Sequence, residues 1–279
     1  MQVTSSLPAA KELVRTWKSS GETVGLVPTM GFLHQGHLSL VQSSKQKTDR
    51  TLVSVFVNST QFAPHEDFSD YPRDLERDLK LLKKENVDVV FTPSQELMYP
   101  PGYSTYVEVH ELQNKLCGRS RPIFFRGVCT VVLKLFHMLD PDMAFFGQKD
   151  AQQSVIIHRM VQDLNLDVKI EVCPIVRDKD GLALSSRNSY FNAEQRRAAL
   201  CLSRSLQMAR SLIDLGQKDA VQLIKAIRTE IQSESRARIN YVEIVDPTDL
   251  LPRAVIRKGD LIALAVFIDD VRLIDNLIV

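Results

Sequence analysis

Over the first 175 residues the apolar positions alternate between short β-branched runs and stretches with helical spacing. Val3 opens a short strand. Pro8 then stands in the first turn of a helix whose Leu7, Leu13, Val14 and Trp17 share a face until Gly21 ends it. The run from Val24 is a buried strand that Pro28 is expected to end, because proline has no N–H for a sheet ladder. Leu38, Leu40 and Val41 mark a helix over 37–47, and residues 51–57 form a strand apolar on both faces. The same alternation predicts strands at 87–91, 143–146 and 168–172, helices reaching Lys84, over 128–139 and up to Asp163, and an extended edge segment at 103–109. Strands buried on both faces belong to parallel sheets.

Past Asn192, an N-cap residue, the pattern changes. Two helices, 193–215 and 218–233, are followed by three strands at 239–245, 261–268 and 271–274. Two helices and then three strands are not βαβ repetition. The expected fold is therefore α/β: a Rossmann-like, doubly wound parallel sheet over 1–175, and a smaller C-terminal α+β domain over 176–279 that closes over a site between the domains.

Composition narrows the function. A chain of 279 residues, 44% hydrophobic and 25% charged, is long enough for two domains of unequal size. With 35 basic and 34 acidic residues the formal charge is +1, which argues against a nucleic-acid surface and for small-molecule work. The four cysteines, at 117, 129, 173 and 201, form no Cys-x-x-Cys pair, so neither a zinc ribbon nor a dithiol motif is indicated. No apolar run reaches the ~20 residues that span a bilayer, and no basic-then-apolar leader opens the chain, so no membrane association and a cytoplasmic location are expected.

Candidate chemistry gathers at strand-to-helix turns. Pro28-Thr-Met-Gly-Phe-Leu-His-Gln-Gly-His37 joins a strand tip to a helix start, with Gly31 and Gly36 freeing the backbone and His34 and His37 offering imidazoles to phosphate oxygens. The plain alternative is two glycine turns with two surface histidines. Gly147-Gln148-Lys149-Asp150 is a second such turn. Lys149 suits polyphosphate, and Asp150 suits either ribose hydroxyls or a helix cap. Ser185-Ser186-Arg187 puts two hydroxyls beside a cation. Residues 58–62 lie at a strand end, where open α/β sheets place ligand groups. The acidic stretch 65–70 reads as a lid or a solvated turn, and the basic, glycine-bounded loop of Arg119, Arg121 and Arg126 as solvated cations.

The His-x-Gly-His pattern resembles the adenylate-forming nucleotidyltransferases, which include the class I aminoacyl-tRNA synthetases, and the whole run 28–37 resembles the pantothenate synthetase family. Three further segments agree in order: Phe-Val-Asn-x-x-Gln-Phe at 56–62, Phe-Gly-x-Lys-Asp-x-Gln-Gln at 146–153, and Leu-Ala-x-Ser-Ser-Arg-Asn at 182–188. The chain departs from the family at Ser59 (usually proline), Phe124 (histidine) and Ala151 (often tyrosine). The resemblance implies joining of pantoate to β-alanine with ATP through pantoyl adenylate, with Mg²⁺ as counter-charge and a homodimer formed through the larger domain. It implies ATP contacts at Met30, Gly31, Phe32, Leu33, His34, Gln35, Gly36 and His37, at Gly147, Gln148, Lys149 and Asp150, and at Val176, Leu184, Ser185, Ser186 and Arg187. His34, His37, Lys149, Ser185, Ser186 and Arg187 are the catalytic candidates. Gln61 and Gln153 are expected on pantoate, Gln61 also on β-alanine, Asp78 in indirect support of the metal, and the backbone and side chains of Val176 and Leu184 on adenine. Two other readings stay open: a nucleotide-binding regulatory protein without turnover, motivated by the three departures, and another adenylyltransferase such as a tRNA synthetase fragment.

Overall fold

A computed structural model describes residues 1–279 apart from His65 and Asp67. In chain order the elements are β1 (Gln2–Thr4), α1 (Leu7–Ser19), β2 (Val24–Thr29), α2 (Gln35–Lys47), β3 (Arg50–Val55), α3 (Leu75–Lys84), β4 (Val89–Phe91), α4 (Gln95–Met98), α5 (Phe124–Leu139), β5 (Met143–Gly147) and α6 (Ala151–Asp163). There follow β6 (Lys169–Cys173), α7 (Ala193–Asp214), α8 (Ala220–Gln232), β7 (Ala237–Val245), β8 (Leu261–Ile268) and β9 (Val271–Ile278).

Six strands pair in the order β1-β4-β3-β2-β5-β6, all parallel. From β2 the chain winds outward through β3 and β4 on one side, then through β5 and β6 on the other. The order therefore reverses between β2 and β5, the switch point at whose C-terminal strand ends such sheets take ligands. Leu26, Val27, Leu52, Val53 and Val90 are wholly buried, as expected for strands covered on both faces. A Cβ on Gly25 would collide with Ser44 Oγ and lie 2.6 Å from Thr48 Oγ1, so a glycine here lets α2 press onto β2.

Several boundaries differ from expectation for local reasons. Pro28 does not end β2, which runs to Thr29. β5 pairs with β2 only at Gly25 and Leu26, so the missing N–H falls beyond the last ladder position on that side. α2 begins at Gln35 because the His34 side chain caps it. α5 begins at Phe124, four residues before the sequence suggests, and residues 103–109 form no strand. β9 continues to Ile278 although Asp275 and Asn276 interrupt its apolar pattern.

Contacts divide the chain into two units: Met1–Asn114, Gly118–Gly147 and Ile156–Pro174 in the first, and Lys115–Cys117, Gln148–Val155 and Ile175–Val279 in the second. The segment 148–155, which the sequence puts in the larger domain, thus groups with the smaller one. Within the second unit α7 and α8 cover the antiparallel sheet β7-β8-β9 through a core that includes Leu202, Leu206, Leu223, Ile227, Ile262 and Leu264. α7 opens on a reciprocal capping box between Asn192 and Gln195.

Candidate active site

In the first unit the turn after β2 carries both histidines. Gly31 has φ +83° and Phe32 φ 49°, left-handed conformations that bring the amides of Phe32 and Leu33 onto one carboxylate. Asp78, on the first turn of α3 and 1% exposed, accepts from Phe32 N–H through Oδ2 and from Leu33 N–H through Oδ1, both at 2.7 Å. Burial pushes its carboxyl up from the ordinary value, against the two amides that pull it down. With each oxygen accepting from a backbone amide, Asp78 holds the turn; the resemblance gives it only an indirect part in support of the metal. Among the described residues no cluster of three His, Cys, Asp or Glu side chains could take a cation instead.

His34 and His37 form the two halves of a capping box at the start of α2. His34 Nδ1 accepts from Gly36 N–H at 3.1 Å, and His37 Nδ1 accepts from His34 N–H at 3.3 Å. The rings stand 4.1 Å apart at 36°. A ring nitrogen that accepts carries no proton, so in each neutral imidazole the N–H is on Nε2. Two amides at the start of α2, those of His34 and Gly36, are thus taken up by the imidazoles themselves.

The turn after β3 is organised by a residue the sequence left without a role. Asn58, 1% exposed, caps a 3₁₀ turn over Ser59–Gln61. Its Nδ2 donates to Gln61 Oε1 at 2.8 Å and to the Gly127 carbonyl at 3.0 Å, and its Oδ1 accepts from Tyr99 Oη at 2.8 Å. Accepting at Oε1 fixes the orientation of the Gln61 amide, with Nε2 as its donor end. Burial pushes the Tyr99 phenol up to about 12, which keeps it a donor. A Cβ on Gly127 would sit 2.5 Å from the Thr60 carbonyl, so this glycine lets α5 approach the turn. Ser59 does not leave the turn untied, since its hydroxyl accepts from Gln95 Nε2 at 2.8 Å.

Phe124 stacks on a cation: the Arg121 guanidinium lies 3.9 Å from its ring centroid and grips Glu66 with two hydrogen bonds of 2.6 and 2.8 Å, while also donating to the Gln61 carbonyl at 3.3 Å. Of the three loop arginines, Arg121 is thus a structural cation. The lid-or-turn question at 65–70 falls partly on His65 and Asp67, which lie outside the described residues.

In the second unit Lys149 occupies a 3₁₀ turn, Gln148–Asp150, that leads into α6. Its side chain is 22% exposed, with Nζ 3.7 Å from Asp150 Oδ2. Among the described residues the Asp150 carboxylate accepts no backbone N–H, so it does not cap α6, and its charged neighbour is Lys149. Ala151 is simply the first residue of that helix. Gln152 is spent on structure, donating to the Lys115 carbonyl at 2.6 Å and accepting from Cys117 N–H at 2.9 Å, whereas Gln153 has no side-chain partner among the described residues.

Residues 176–184 form a small hairpin in which Leu184 N–H donates to the Val176 carbonyl at 3.0 Å. That pairing removes two of the backbone groups expected to read adenine. Ser185 caps the next turn, accepting from Arg187 N–H at 3.3 Å, with Ser186 buried behind it and Arg187 partly exposed.

A sequence profile of the Pantoate-beta-alanine ligase family matches residues 2–278. The chain belongs to this family. Pantothenate synthetases from Acetivibrio thermocellus and Thermosipho africanus are each 53% identical over 279 residues, covering the whole chain and 99% and 100% of those proteins. The crystal structure of pantothenate synthetase from Thermus thermophilus superposes with a TM-score of 0.95 at 41% identity, covering 99% of each chain. That of the Francisella tularensis pantoate-beta-alanine ligase, complexed with "Beta-gamma ATP and Beta-alanine", gives 0.82 at 33% identity, covering 100% of this chain and 97% of that one. Membership of a ligase family over the full length gives no support to a regulatory protein without turnover, or to a tRNA synthetase fragment. No helix among the described residues is long and apolar enough to cross a membrane.

Proposed function

We propose that the chain ligates pantoate and β-alanine at the expense of ATP, through pantoyl adenylate. The observation that carries this reading is the family match over residues 2–278, which spans every motif described above. In the first step a pantoate carboxylate oxygen attacks the α-phosphorus, and the bond to the β-phosphate breaks to release pyrophosphate. In the second the β-alanine amine attacks the acyl carbon, the bond to AMP breaks, and the amine loses a proton as the amide forms.

Each residue set suits one part of this chemistry. His34 and His37 hold phosphate oxygens, Lys149 neutralises charge growing on the leaving group, and Ser185, Ser186 and Arg187 contact the triphosphate. Met30, Gly31, Phe32, Leu33, Gln35 and Gly36 shape the turn that carries the histidines, and Gly147 and Gln148 the turn that carries Lys149. Asp150 takes ribose hydroxyls, and what Val176 and Leu184 retain for adenine is the N–H of the first and the carbonyl of the second. Gln61 and Gln153 bring neutral amides to pantoate, with no anion to repel its carboxylate, and Gln61 also serves β-alanine. Mg²⁺ would supply the remaining counter-charge on the ATP phosphates, with Asp78 supporting it only indirectly, through the turn it holds.

The protein works as a homodimer in the cytoplasm, a location consistent with four buried cysteines that are all free thiols. Sedimentation tests the dimer: a monomer at micromolar concentration would refute it. For the reaction, incubation with ATP, pantoate and β-alanine should give pantothenate, AMP and pyrophosphate in equal amounts. ADP and phosphate, or AMP release without pantoate, would overturn it.

A further inference from the structure

β9 carries two adjacent buried polar residues, Asp275 and Asn276, each 3% exposed. Neighbouring side chains on a strand point to opposite faces, and these two serve different segments. Asp275 receives both Nη groups of Arg177, at 2.7 and 2.8 Å, and also accepts from Asn276 N–H at 2.8 Å. Asn276 uses its whole amide on the turn that carries Lys149. Nδ2 donates to the carbonyls of Gln148 at 2.8 Å and Lys149 at 3.1 Å, and Oδ1 accepts from Gln148 Nε2 at 3.2 Å.

A lysine ammonium at the end of a four-carbon stem finds a phosphate only as reliably as its backbone is held, and a displacement of about 1 Å can cost ~10²-fold in rate. The turn is too short to hold itself: three residues of 3₁₀ helix, with two carbonyls taken up by one side chain from β9. We infer that Asn276 is a positioning residue for adenylate formation, fixing the backbone of Lys149, with the Arg177–Asp275 ion pair holding β9 in the register that makes this possible. The inference rests on the reading of Lys149 as a phosphate contact, and goes beyond it by assigning a function to a residue outside every motif.

The test is a double-mutant cycle read by pantoate-dependent exchange of pyrophosphate into ATP. Asn276→Ala should lower the exchange kcat at least ~10-fold while leaving KM for pantoate within about twofold. In a Lys149→Ala background, already slowed, the same substitution should cost less than about twofold, because the group it acts through is gone. Equal losses in both backgrounds would overturn the positioning role and leave Lys149 in place. A Lys149→Ala protein with undiminished exchange would instead overturn the phosphate reading, and this inference with it.

If Asn276→Ala does not fold, the near-isosteric Asn276→Asp carries the test. Its carboxylate would face two carbonyl oxygens, and protonation would restore one donor. Exchange relative to the parent should then rise at least ~3-fold between about pH 8 and about pH 6. A ratio that does not change with pH would overturn the inference.

Discussion

Replacing His37 separates what it does for the fold from what it does for the reaction. His37 Nδ1 takes the His34 N–H at 3.3 Å, a long bond at a helix start whose loss costs about 1 kcal/mol or less. Asparagine places an oxygen where Nδ1 stands and nothing where Nε2 stands, so His37→Asn keeps the cap and deletes the donor, whereas His37→Ala deletes both. A domain with ~5 kcal/mol or more of stability stays almost fully folded after either change. Losing one preorganised donor to developing phosphate charge costs ~10²-fold, or about 2.7 kcal/mol. Both variants should therefore slow single-turnover adenylation from ATP by ~10²-fold in rapid-quench measurements, with melting temperatures within a few degrees of the parent. Preformed pantoyl adenylate should still react with β-alanine at close to the parent rate, since no pyrophosphate leaves in that step. A normal rate for His37→Asn beside a slow His37→Ala would mean that only the cap matters. A loss confined to the amine step would recast His37 as the base acting on β-alanine.

Other consequences follow from the buried polar contacts. Asn58→Ala removes the partner that orients the Gln61 amide and the acceptor of the Tyr99 hydroxyl. Stability should fall by about 2–4 kcal/mol in urea titrations, and KM for pantoate should rise at least ~10-fold more than KM for ATP. Asp78→Ala leaves the amides of Phe32 and Leu33 without acceptors, costing about 2–5 kcal/mol, and Asp78→Asn about half as much. The Mg²⁺ dependence of exchange by Asp78→Asn should match the parent's, and a marked shift to higher Mg²⁺ would make Asp78 a ligand after all. Gly127→Ala pushes a methyl to 2.5 Å from the Thr60 carbonyl, so calorimetry should show destabilisation of about 1–3 kcal/mol.

Much of the fold is legible in the sequence because β2 to β5 are buried on both faces and read as unbroken apolar runs. The misread boundaries are places where a tertiary contact outweighs the local pattern. α5 starts at Phe124 although Arg126 and Gly127 look like loop, and that glycine permits the close approach to Thr60. β9 runs through Asp275 and Asn276 because each finds its polar partners in other segments of its own unit. In the candidate site the histidines are visible through their motif, but their mutual capping is not, since histidine is an uncommon cap. Asn58 escaped because its partners Tyr99 and Gly127 stand 41 and 69 residues away. The turn of Lys149 is legible in the sequence, while Asn276, whose amide binds its carbonyl, lies 127 positions further along the chain.

The central claim is that ATP activates pantoate before β-alanine takes part. It is tested most directly by supplying the protein with ATP, pantoate and labelled pyrophosphate, without β-alanine, and following label into ATP. Exchange that requires pantoate is the predicted result, because pantoyl adenylate and pyrophosphate must re-form ATP on the protein. Absence of exchange from a protein that makes pantothenate once β-alanine is added would contradict the adenylate route.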